Sequence, residues 1–272
     1  MLGFNAGDYP TYHSVFDNYN WMAQFGDPGF HRHVAVAQVW GAVALTLAET
    51  RDLPLNYVDY AAALTGYVQD VRRRLARAGG AGKVDLAPMV EGLARLEAAA
   101  LQVERERRRL LDGATGGVDG EQQPLLTPTT TSTATARYRR RRRLRADPRA
   151  EDSGAAASAS AAAVAVAEFV AMRHFNDRLM LAERGFLDYD GLTGPGEAPL
   201  RAWLRHLVFS PPQGNEYGST AWANVVDAIE WAAARGGGGD GEEEAWRNVQ
   251  HQLWRAGRAL DRVAMVLRGR LL

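Results

Sequence analysis

Apolar side chains recur at helical spacing through most of this chain. Tyr60, Leu64, Tyr67, Val68, Val71 and Leu75 line one face of a helix opened by Asn56 with Asp59 and closed at Gly79 and Gly80. Its other face carries Arg72, Arg73 and Arg77, a solvated surface near a helix C-terminus. A second stripe follows Asp85, which can cap it, with Pro88 tolerated in the first turn: Leu86, Met89, Leu93, Leu96, Ala100, Val103 and Leu110. Helical pattern resumes near Val164 and runs through Phe169, Met172, Phe175 and Leu179 to Gly185. Residues 222–234 predict another helix. Asp240 and Glu242 to Glu244 then start a last one favourably for its dipole, with the stripe Trp246, Val249, Leu253, Leu260, Val263 and Leu267.

The first fifty residues read differently. Ser14 and Asp17 form a capping-box-like pair for an opening helix, and Gly26-Asp27-Pro28-Gly29 breaks it. The stretch from there to about Glu49 is apolar on nearly all sides, which predicts a central, fully packed helix, stopped at Pro54. Only the HLVF run at 206–209 reads as extended, ahead of a Pro/Gly/Asn loop. Six or seven helices with almost no strand predict an all-α bundle.

One segment breaks the pattern. Residues 113–160 hold LTPTTTSTATA, RYRRRRRLR and GAAASASAAA in turn, and predict a low-complexity, disordered insertion between two helices. Its Arg139–143 run could serve nucleic acid or nuclear import. A solvated linker is the better reading, because no aromatic platforms accompany it, and translated non-coding sequence would have the same composition. Lys plus Arg and Asp plus Glu are both 32, so the net charge of +0 exerts no global pull on nucleic acid or anionic membrane. With 46% hydrophobic residues the 272-residue chain can bury a sizeable core. The absence of cysteine excludes disulfides, thiolate metal sites and cysteine nucleophiles. The N-terminus lacks the charged and apolar regions of a signal peptide. The most apolar stretch, 34–48, is shorter than the ~20 residues a bilayer span requires.

Candidate chemistry concentrates at Tyr9-Pro10-Thr11-Tyr12-His13-Ser14. A histidine at a loop end beside aromatics could be a metal ligand, a general base or a hydrogen-bonded surface group, and alone it makes no site. His31 and His33, two apart, point to different faces of a helix and do not chelate together. The seven tryptophans read as core and interface.

Longer blocks carry a resemblance. YPTYHSVFDNYNWMAQFGDPGFHRHVAVAQVWG resembles the end of the catalytic domain in the glutamate carboxypeptidase II and transferrin receptor family, and LPLNYVDYAAAL resembles the entry to that family's dimerisation domain. NDRLMLAERGFLD and RHLVFSPPQGNEYGS resemble later landmarks in the same order. The resemblance is to plant-type members. It implies that residues 1–33 are a short remnant of an α/β zinc peptidase domain, and that 34–112 with 161–272 form the helical dimerisation domain.

It also implies roles. His13 matches the last ligand of the family's two-zinc site. Tyr12 matches a tyrosine contacting the substrate's C-terminal residue, and Asn215 and Tyr217 match a loop reaching the substrate pocket. Glu216 stands where glutamate-preferring members have a lysine, and a carboxylate there repels an acidic substrate side chain. The other zinc ligands and the general base have no counterpart in this sequence. No catalytic residue is therefore assigned, and the chain alone is expected to be inactive and free of bound zinc, because a two-metal mechanism needs both ions clamped. Zinc and a peptide substrate belong to a full-length parent, in which the working carboxypeptidase is the alternative reading. The resemblance further implies a homodimer, with this domain on the lumenal or extracellular side of a membrane-anchored parent and itself in no membrane contact.

Overall fold

The structure, a computed structural model, describes residues 9–115, 148–193, 201–213, 218–236 and 240–270. It divides into two compact units, Met1–Leu53 and Pro54–Leu272. The division falls at the Pro54 break.

In that first unit, turns over residues 9–17 lead into a short helix α1 (Tyr19–Trp21), which widens into a π-helical turn (Met22–Gly26). The opening cap differs from expectation. Ser14 donates its hydroxyl back to the Thr11 carbonyl at 2.7 Å and accepts from the Phe16 amide, forming a turn. The cap is Asn18, whose side chain accepts from Trp21 N–H at 3.2 Å. Helix α2 (His31–Glu49) follows. It contains no buried residue, so the expected fully packed helix is overturned: Val39, Trp40, Val43, Leu45 and Leu47 are all exposed.

The second unit is a helical bundle. Its helices are α3 (Tyr57–Arg77), α4 (Ala87–Thr115), α5 (Pro148–Ala182), α6 (Ala223–Ala234) and α7 (Asp240–Leu267). A 3₁₀ turn (Glu183–Phe186) ends α5, and β1 (Phe209–Ser210) pairs antiparallel with β2 (Thr220–Ala221). Asn56 caps α3 by accepting from the Val58 and Asp59 amides, and Asp85 accepts from the Ala87 amide at the start of α4. The bounds of α4 and α5 run into the 113–160 segment from both sides, and residues 116–147 lie outside the described residues.

The core follows the stripes. Leu64, Val68, Val71 and Leu75 of α3 are buried, as are Met89, Leu93, Leu96 and Val103 of α4. So is every stripe residue of α7 from Trp246 to Leu267. Helices α4 and α7 make the most extensive helix contact of the unit. Gly92 and Gly257 permit it, because a Cβ at either would press on the backbone of the other helix.

Candidate functional site

In the N-terminal turns, Tyr12 and His13 stack ring on ring, with centroids 3.9 Å apart and planes 20° apart. Both rings are exposed. His13 has φ 59°, in the left-handed region that non-glycine residues enter at a cost, histidine less reluctantly than most. The turn is fixed from both sides. Tyr12 and Ser14 donate their amides to Tyr9 and Thr11 carbonyls, each at 3.1 Å. Tyr9 donates its hydroxyl to Asp17 at 2.8 Å and stacks on Trp21. The bond to Asp17 pushes the Tyr9 hydroxyl above the usual tyrosine value.

A second polar centre lies at the start of α2. Asp27, 6% exposed, accepts from the Arg32 and His33 amides and from His33 Nδ1 at 2.6 Å. The bond from His33, supported by the two backbone amides, lowers the Asp27 carboxyl to about 2 against the opposing effect of burial. Asp27 is thus an N-terminal cap that also fixes the His33 ring. Sequence reading took Gly26-Asp27-Pro28-Gly29 only as a breaker. The available signal was an aspartate just ahead of an apolar helix, where the macrodipole and orphan amides favour a carboxylate. Tyr9, Trp21, Met22, Phe25, Asp27 and His33 line an open cleft of about 770 Å³.

The structure brings Tyr12 and His13 together. Asn215, Glu216 and Tyr217 lie outside the described residues, as does the Arg139–143 run. Described residues do define what precedes that loop. Arg201 donates to the Pro211 carbonyl at 2.6 Å and pairs with Asp227, which also accepts from the Gln213 amide. Asp227 is 7% exposed, and burial raises its carboxyl above the usual value despite the Arg201 charge.

Among the described residues no group of three or more His, Asp or Glu is arranged to hold a metal ion. One imidazole does not meet the tetrahedral requirement of zinc, so the described residues do not fit the two-zinc centre. Among them, too, no helix is long and apolar enough to cross a membrane.

The second unit carries a different kind of feature. Buried Arg255 donates to Asp188, the Gly191 carbonyl, Thr193 and Gln252, pinning the 188–193 loop to α7. On α5, Met172, Phe175, Leu179 and Ala182 are buried, whereas Val164, Val166, Phe169 and Val170 one to three turns earlier are exposed. That leaves an uncovered apolar stretch ahead of the packed C-terminal part of the helix.

The family model of the transferrin receptor-like dimerisation domain matches residues 146–268. A probable glutamate carboxypeptidase, LAMP1 of Arabidopsis thaliana, is 30% identical over 271 residues, covering 100% of this chain and 29% of that protein. A probable glutamate carboxypeptidase, VP8 of Zea mays, is 31% identical over 96% of this chain and 28% of its own length. The aminopeptidase NAALADL1 of Rattus norvegicus is 27% identical over 97% of this chain and 27% of its own length. The chain therefore spans less than a third of the length of these relatives. Its bundle, its dimerisation-domain match and its likeness along nearly its whole length to these proteins together mean that the chain belongs to the glutamate carboxypeptidase and transferrin receptor family.

Proposed function

We propose that this chain is a pairing element: a homodimerising helical domain that joins two copies of a glutamate carboxypeptidase-like metallopeptidase, without hydrolytic activity of its own. The observation that carries the reading is the exposed apolar stretch of α5, Val164, Val166, Phe169 and Val170, inside the region matched by the dimerisation-domain model. Stable homodimers bury ~2,000 Å² or more of largely apolar surface. A two-fold interface is isologous, so a single charge placed in it appears twice. Analytical ultracentrifugation across a wide concentration range tests this: a dimer is expected, and Phe169→Asp is expected to shift it to monomer. A folded wild-type chain that stays monomeric at high micromolar concentration overturns the reading.

In a longer parent, His13 would complete a zinc site, with Tyr12, Asn215 and Tyr217 contacting the peptide and Glu216 disfavouring an acidic side chain. A two-metal mechanism needs both ions clamped by several ligands, and among the described residues no group of three or more His, Asp or Glu is arranged to hold a metal ion. Metal analysis of dialysed protein checks it: no stoichiometric zinc is expected. Two zinc ions per chain that vanish in His13→Ala would sink the idea.

A further inference from the structure

We infer that His206 is an acid-operated latch: protonating its ring releases the Phe209 amide and loosens β1, while Glu183 keeps the imidazolium seated. In the structure the ring is bonded on both sides. Nδ1 accepts from the Phe209 backbone N–H at 3.0 Å, and Nε2 lies 2.9 Å from Glu183 Oε1. A backbone amide can only donate and a carboxylate can only accept. The pair of bonds therefore fixes the neutral Nε2–H tautomer, with Nδ1 as the acceptor.

A proton taken up from solvent must bind Nδ1, because Nε2 already carries one. Nδ1–H then faces Phe209 N–H, donor against donor, and that bond is lost. On the other side the ring's new charge meets Glu183, which accepts from the Tyr60 hydroxyl at 3.1 Å on the same oxygen. The change exchanges a neutral backbone bond for a charge-assisted one. This predicts a local rearrangement, and not unfolding.

The other groups around the ring are accounted for. Tyr60 and Tyr57 on α3 are held protonated, first by burial and then by the Glu183 charge. Arg262 on α7 is engaged with the Gly185 and Leu187 carbonyls, and Arg205 lies over the Tyr189 ring. Phe209 stacks on the ring with centroids 5.8 Å apart, and Phe186 lies tilted beside it at 5.7 Å. Glu183 is the carboxylate that meets the imidazole.

The consequence reaches β1 directly. His206 also receives the Ser210 hydroxyl on its carbonyl at 2.6 Å, and Phe209 and Ser210 are the whole of β1. They pair with Ala221 and Thr220 immediately before α6. Releasing Phe209 frees the strand that leads to the Arg201-anchored residues 211–213.

The test is amide hydrogen exchange with histidine ¹⁵N NMR on the whole chain. At about pH 7.5 the His206 spectrum should show protonated Nε2 and unprotonated Nδ1. Between about pH 7.5 and 5 the protection factor of the Phe209 amide should fall on the order of tenfold, with α7 amides unchanged. His206→Asn, which keeps an acceptor near the Nδ1 position and does not titrate, should abolish the pH dependence. Should that variant fail to fold, Glu183→Gln should move the transition to lower pH. The opposite tautomer, a pH-independent Phe209 amide in the wild type, persistence of the drop in folded His206→Asn, or an unmoved transition in Glu183→Gln each overturns the latch.

Discussion

Replacing Gly257 by alanine should destabilise the bundle, although alanine is the better helix former. In a helix interior the exchange gains ~1 kcal/mol from propensity. Here the added Cβ would lie 2.3 Å from the Pro88 carbonyl oxygen and 2.7 Å from its carbon. Both are backbone atoms of α4, which cannot rotate aside as a side chain could. Ordinary contact begins near 3.4 Å, so α4 has to withdraw by roughly 1 Å along a face that carries Met89, Leu93 and Leu96. Overpacking costs ~1–3 kcal/mol, and a clash with rigid backbone belongs at the upper end. The net expectation is a loss of ~1–2 kcal/mol, or ~2–8 °C in the melting temperature of a domain this size. Circular dichroism melting of the variant beside Gly66→Ala supplies the control. Gly66 lies within α3 with nothing within 4 Å of its added Cβ, so that substitution should raise stability by up to ~1 kcal/mol. An unchanged or raised melting temperature for Gly257→Ala would refute the close-approach argument. A loss in Gly66→Ala would refute the propensity half.

Two further outcomes follow from the polar centres. Arg255→Ala should lower unfolding stability by ~3 kcal/mol in urea titration, because it leaves the Gly191 carbonyl without its donor and Asp188 with only the longer 3.8 Å pairing to Arg262; a loss under ~1 kcal/mol would mean that water replaces the arginine. Asp27 ionises more easily in the folded chain than in the unfolded one, so its stabilisation of the first turn of α2 is present above the ordinary value of 3.8 and is lost as pH falls through about 2. Amide protection at Arg32 and His33 should fall between those values in the wild type and be absent at neutral pH in Asp27→Ala; an acid-insensitive pair of amides contradicts the capping role.

Helix positions were legible in the sequence wherever one face is apolar and one polar. Asn56 was readable as a cap because its short acceptor sits just ahead of a stripe, and the α7 stripe is buried throughout. Ser14 misled because a hydroxyl serves a turn as well as a cap, and Thr11 lies within its reach. The apolarity of α2 was correctly perceived, but periodicity records that a helix needs cover and not what provides it. Tyr12 and His13 were findable as chain neighbours. The Arg201 pair with Asp227 and the Arg255 pair with Asp188 span 26 and 67 positions, and no spacing rule connects a cation to its counterion across such distances.

The contact between α4 and α7 also sets an order of events during synthesis. The two helices are neighbours in space, but α5 and α6 lie between them in sequence. A nascent chain that has produced α3, α4 and α5 still leaves Leu93, Leu96 and Val103 without their partner helix. Only when α7 leaves the ribosome can that seam close, so late contacts dominate the folding rate of the bundle. A translational stop before Asp240 would release a sticky half-bundle, the kind of species that chaperones and proteases intercept.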